Sequence, residues 1–266
     1  MTQLLVESAD GTPISSEGYG DGRALVVLSG ALFGAERWLA VVKVLAEQRT
    51  LYVVDRRGRG KSGDHAPYAP EREVEDVLAV LQAIPGPIDL LGHSSGAILA
   101  LQVAARAPSK LERLVVYEPP VFFAEPDLIA QDLPERLEAL VASGQRDLAV
   151  ETFLREGPRN SEDSLRALKA GPVWAGMVSS LGHTVPYDSH VQRSFTGAPA
   201  ELARVQIPTL MLVGGASPER MRTGAQTIAA GLPNAELTWL PDQQHMAMLQ
   251  APALFAAAIQ AFLAKK

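Results

Sequence analysis

The chain has 266 residues, 47% apolar and 20% charged, with 24 Lys and Arg against 30 Asp and Glu for a net charge of −6. That balance is globular and excludes a disordered or collagen-like chain, and the acidic excess argues against an electrostatic nucleic-acid binder. With no cysteine, disulfides, thiolate metal sites and cysteine nucleophiles are excluded together.

The length suits one large α/β domain. Met1 to Asp10 shows no basic stretch followed by an apolar one, and no run approaches a membrane span. The expectation is a soluble, cytoplasmic protein without a membrane or nucleic-acid partner, present as a monomer or homodimer.

In chain order, Leu4 to Val6 and Ile14 to Glu17 flank the turn Asp10-Gly11-Thr12-Pro13, which reads as a hairpin. Ala24 to Leu28 is a continuous apolar run of the kind a buried parallel strand needs. Trp38, Val41, Val42 and Leu45 then recur at helical spacing within 36–48. A strand at 51–54 and a helix at 71–84 follow, then a strand at 88–91, a helix at 95–106 and a strand at 114–117. The alternation resumes late, with a strand at 209–213, a helix near 218–231, a strand at 237–240 and a helix from Pro252. Such alternation predicts a parallel sheet with helices on both faces.

Between about Pro126 and Gln206 the β-runs stop, and 134–143, 146–155 and 161–169 read as amphipathic helices. A helical insertion in an α/β pattern predicts a lid over the sheet's C-terminal edge, where such folds bind ligands. The expected division is a core of residues 1–124 and 200–266, with a lid of 125–199.

The strongest chemical signal is Gly92-His93-Ser94-Ser95-Gly96, between a predicted strand and a predicted helix. A sharp strand-to-helix elbow strains the serine backbone, needs small neighbours and lifts the hydroxyl clear of the sheet. The helix N-terminus beneath favours developing negative charge. Ser94 is therefore the expected nucleophile.

Here the chain resembles the α/β-hydrolase superfamily over nearly its whole length. Ser29-Gly30-Ala31 stands where the family usually has His-Gly-x. Asp55-Arg56-Arg57-Gly58-Arg59-Gly60-Lys61-Ser62 is similar to its D-x-R-G-x-G-x-S turn, and Gln244-His245 follows the last strand. The resemblance implies an α/β-hydrolase fold with a mostly parallel eight-stranded sheet. It also implies an oxyanion hole made by the N–H groups of Ala31 and Ser95.

A serine hydroxyl needs a base to take its proton. Of five histidines, His93 lies inside the elbow, His65 in a loop, and His183 and His190 in the predicted lid. His245, a short loop beyond the last strand, is the expected base. Family members commonly carry an aspartate shortly after the penultimate strand, but here that stretch reads Gly214-Gly215-Ala216-Ser217. Asp242 is too near His245 in the chain to sit behind its ring. Glu118 ends the strand beside the nucleophile's strand, a position some α/β-hydrolases use, and is the expected acid. The alternative reading makes it a partly buried carboxylate at the entry to the lid.

Leu32, Phe33, Phe122, Trp174, Met177, Tyr187 and Met246 are the expected pocket residues, which predicts a hydrophobic small-molecule ester or lactone. A narrower similarity, to the zearalenone lactone hydrolases, rests on Glu118, the Ser-Ser-Gly elbow, Gly-Gly-Ala-Ser-Pro and Pro172-Val173-Trp174-Ala175. It implies contact between Trp174 and a large lactone. Gly60-Lys61-Ser62 lacks the upstream glycine of a phosphate loop, no metal-ligand spacing occurs, and no cofactor is expected. The expected activity is cofactor-independent hydrolysis through a Ser-His-Glu triad and an acyl-enzyme. The rivals are carbon–carbon bond hydrolysis or perhydrolysis by the same triad, and a non-catalytic binding protein on the same fold.

Overall fold

The computed structural model describes residues 2–123 and 128–265. Its eight strands are β1 (Thr2–Glu7), β2 (Pro13–Tyr19), β3 (Arg23–Leu28), β4 (Arg49–Val54), β5 (Ile88–His93), β6 (Leu111–Tyr117), β7 (Thr209–Gly214) and β8 (Ala235–Leu240). They form one sheet in the order β1-β2-β4-β3-β5-β6-β7-β8. The β1–β2 and β2–β4 pairs are antiparallel and every other pair is parallel.

The period of two along each strand sorts side chains to opposite faces. Val26 and Leu28 of β3 face a layer of α2 (Pro70–Ala83), α3 (Ser95–Arg106) and α10 (Glu219–Gly231). Leu25 and Val27 face the other layer, α1 (Leu39–Leu45) and α12 (Pro252–Leu263). Central strands buried on both faces explain why their sequences read as unbroken apolar runs. The turn before α1 departs from the expected single helix: Ala35–Trp38 is 3-10, and the α-helix begins at Leu39.

Between β6 and β7 stand α4 (Leu133–Ala142), α5 (Arg146–Glu156), α6 (Glu162–Ala170), α7 (Trp174–Leu181), α8 (Val185–Arg193) and α9 (Pro199–Leu202). Helices α4 to α8 share a small core of their own, including Leu137, Val150, Phe153, Leu165 and Met177, into which Leu32 reaches from the loop after β3. The expected join at 124–125 lies outside the described residues. The expected return at 199–200 falls in the first turn of α9, whose Leu202 packs with the α3 layer. Hydrophobic spacing did not reveal α8, because that helix buries Asp188 and Ser189 as well as Val185 and Val191. A short α11 (Ala247–Gln250) precedes α12.

Candidate active site

The parallel strands β5, β6 and β7 end side by side, which brings three distant parts of the chain to one edge. Ser94 follows β5 directly and caps α3 with φ 57° and ψ −124°, a strained conformation for a residue with a side chain. Only glycine fits on either side. A Cβ on Gly96 would lie 2.4 Å from the Leu28 carbonyl oxygen, and one on Gly92 would lie 2.3 Å from that of Gly96. Leu32 (φ 59°) and Glu118 (φ 47°) are strained in the same way. Three residues bent against their preference thus lie on the loops that meet here.

Glu118 follows β6 and is fully buried. Its Oε2 lies 2.7 Å from His245 Nδ1. Its Oε1 accepts hydrogen bonds from the Gly214 amide at 2.8 Å and the Ser217 hydroxyl at 2.5 Å. Burial works to raise the carboxyl's pKa, but the His245 ring, Ser217 and Gly214 outweigh it and hold it below the usual carboxylate range. Ser217, in the stretch where the family's aspartate is expected, thus donates to the Glu118 carboxylate.

The loop carrying His245 is clamped from below. His93, fully buried, donates from Nε2 to the His245 carbonyl oxygen at 3.1 Å, and the two rings lie 4.5 Å apart. Tyr117 donates its hydroxyl proton to the Gln244 carbonyl and accepts from the Ala247 amide at 3.3 Å. The His245 side chain keeps about a third of its surface exposed, 31%.

The loop after β3 is fixed with equal care. Ser29 accepts from Trp38 Nε1 at 2.9 Å, and its carbonyl accepts from Arg56 at 3.1 Å. Neither the Ala31 nor the Ser95 amide donates to a protein acceptor among the described residues, as expected of donors aimed into a cavity at a helix N-terminus. A cavity of about 530 Å³ opens there, lined by Ala31, Ser94, Ser95 and His245.

Of the expected pocket residues, Leu32, Phe33, Phe122, Met177 and Met246 line this cavity. Trp174 and Tyr187 do not. Trp174 is buried in the core of the inserted helices and donates from Nε1 to Asp147 at 2.6 Å. Tyr187 stacks on Tyr68 with ring centroids 3.9 Å apart and hydrogen-bonds Asp64. Both are held by partners within the fold, so the lactone contact implied for Trp174 has no counterpart in the cavity wall. The wall is also less apolar than the sequence suggests, since Arg37, Arg159, Arg220 and Asp188 line it.

A buried ion network, missed from sequence, joins this site to α8. Arg56 pairs with Glu73 at 2.6 Å and with Asp188 at 2.8 Å, and Arg59 pairs with Asp188 at 2.7 Å. Ser95 donates its hydroxyl proton to Asp188 at 2.7 Å. Burial works to raise the Asp188 pKa, but Arg59 and Arg56 outweigh it. The only sequence signal was a dense basic stretch at 56–61 in an acidic chain; its partners lie up to 132 positions away.

Residues 25–258 match the alpha/beta hydrolase family. The chain belongs to that family. Among solved structures it is similar to an alpha/beta hydrolase from Sphaerobacter thermophilus, with 39% identity, a TM-score of 0.90 and coverage of 98% of this chain and 100% of that one. Among characterised proteins it is similar to an (E)-2-((N-methylformamido)methylene)succinate hydrolase of Acinetobacter baylyi, 24% identical over 92% of this chain and 91% of that one. It is also similar to a pimeloyl-[acyl-carrier protein] methyl ester esterase of Edwardsiella ictaluri, 26% identical over 90% and 93%. The chain is accordingly an enzyme of the hydrolase class.

Proposed function

We propose that the chain is a serine hydrolase that cleaves an ester or lactone of a small molecule through a Ser94-His245-Glu118 triad, beneath a lid made by the inserted helices. The observation that carries this reading is the 2.7 Å contact between His245 Nδ1 and a fully buried Glu118, beside a nucleophile elbow. The relative named as a methyl ester esterase supports an ester linkage.

In the reaction, His245 takes the Ser94 proton as Oγ attacks the carbonyl carbon. Glu118 accepts the Nδ1–H bond, fixes the ring's tautomer and stabilises the imidazolium. The Ala31 and Ser95 amides receive the oxyanion. His245 then protonates the leaving alkoxide, and water, deprotonated by His245, releases the acid from Ser94. A resorcylic lactone is the less favoured substrate, because Trp174 is committed to Asp147.

Turnover of a short-chain nitrophenyl ester tests the reading. Ser94→Ala and Glu118→Gln should each lower kcat by about 10⁴-fold or more. Ser217→Ala removes one hydrogen bond to a charged group and should cost about tenfold or somewhat more. Full activity in Glu118→Gln would sink the proposed acid.

A further inference from the structure

We infer that the substrate is an anion: an ester or lactone whose apolar body carries a free carboxylate, bound by Arg37 and Arg220. The inference takes its chemistry from the hydrolase reading above, but its binding claim stands apart from it. Among the described residues, three arginines, Arg37, Arg159 and Arg220, line the cavity against a single acidic residue, Asp188. That carboxylate is already committed, with Oδ1 to Arg56 and Ser95 and Oδ2 to Arg59. Glu118 lies behind His245 and its oxygens are occupied as well.

None of the three cavity arginines has a carboxylate partner among the described residues. Among the described residues several exposed arginines are paired, Arg136 with Glu156, Arg155 with Glu162 and Arg166 with Asp163; Arg106, Arg113, Arg146, Arg204 and Arg222 also lack a carboxylate partner, but none of those five lines the cavity. Among the described residues of this acidic chain, net −6, three arginines without a carboxylate partner gather in the cavity that Ser94 lines. Like charges along a concave wall repel one another and concentrate anions there.

Arg37 and Arg220 are the better placed of the three. Arg37 sits in the 3-10 turn after the Ala31 loop, with its Cζ 5.1 Å from the centre of the Phe33 ring, and its guanidinium donates no hydrogen bond to protein among the described residues. Arg220 stands in the first turn of α10, just after the loop that holds Glu118. One of its Nη atoms donates to the Pro158 carbonyl at 3.0 Å, while its Nε is buried without any acceptor. A planar guanidinium fork matches a carboxylate oxygen pair, so such a group on the substrate would satisfy both. Arg159 is exposed at the rim, with one Nη turned to the Leu128 carbonyl. Phe33, Phe122, Met177 and Met246 supply the apolar remainder of the wall.

The test compares monomethyl esters of straight-chain diacids, from succinate to suberate, with their primary amides, which match them in length but lack the charge. Wild type should favour the best acid over its amide by about ten- to a hundredfold in kcat/KM, and added salt should erode the preference. Arg37→Gln and Arg220→Gln should each shrink that ratio, chiefly through KM for the acid, and Arg→Lys at either position should restore part of it. Equal turnover of acid and amide, or a ratio untouched in the double Gln variant, would overturn the inference. Calorimetric binding of the same pairs to Ser94→Ala separates the two claims. Absence of hydrolysis by wild type, with tight binding of acid over amide, would sink the esterase reading and leave the anion site standing. Equal binding, or no binding of either, would reject the anion site whatever the catalytic result.

Discussion

His93 lies in the elbow beside Ser94, yet its work is structural. Its Nε2–H is spent on the His245 carbonyl, and Nδ1 is buried without a partner. Burial first, and the neighbouring His245 ring second, hold its pKa well below the ordinary 6.5. The folded value lies below the unfolded one, so below about pH 6.5 the unfolded chain takes a proton that the native ring refuses. Stability should therefore fall as pH drops below that value, with His93 contributing a slope of about 1.4 kcal/mol per pH unit until its folded pKa is reached. Urea unfolding across this range should show a shallower slope in His93→Gln than in wild type; identical slopes would mean that other groups carry the acid sensitivity. The same variant loosens the clamp on the His245 backbone, so turnover in the proposed ester hydrolysis should fall as well.

At the scale of elements, α8 is the piece whose role was hidden. Its Asp188 binds Arg56, Arg59 and Ser95 at once, tying an inserted helix to the elbow and to the turn after β4. Removing one partner of a buried ion pair leaves the other charge uncompensated and costs about 3–5 kcal/mol. In Asp188→Asn, Arg56 keeps Glu73, whereas Arg59 loses its carboxylate. The variant should melt roughly 6–20 °C below wild type, taking about 2–4 °C per kcal/mol for a chain of this size; a shift within a degree or two would show that the network contributes nothing net. The sheet strands and α2, α3 and α12 were legible because long apolar runs and helical spacing report burial directly. By contrast, α8 was not, because part of its buried face is polar and its partners are far away in the chain.

Across the whole molecule, the inserted helices have their own apolar core but are not an independent body. Leu32 enters that core from the sheet side, and Tyr68 bridges Glu73 to the Tyr187 carbonyl. Gln102 of α3 donates to Ser194 just beyond α8. With polar and apolar ties both crossing the junction, scanning calorimetry should give one unfolding transition whose van't Hoff and calorimetric enthalpies agree. Two resolved transitions would show that the insertion melts by itself.

The sequence alone determined the sheet, the elbow and the family resemblance, because these are local: a run of apolar residues, two glycines around a serine, a short turn. It also singled out Glu118, though only from the empty aspartate position and the place of a strand end. Tertiary structure decided what depends on contact between distant segments. It gave Ser217 the task of donating to Glu118, kept Trp174 and Tyr187 out of the cavity wall, and set into that wall three arginines that have no carboxylate partner among the described residues. Spacing along a chain records which face a residue takes; it does not record which charge, sixty or a hundred and thirty positions away, will meet it there.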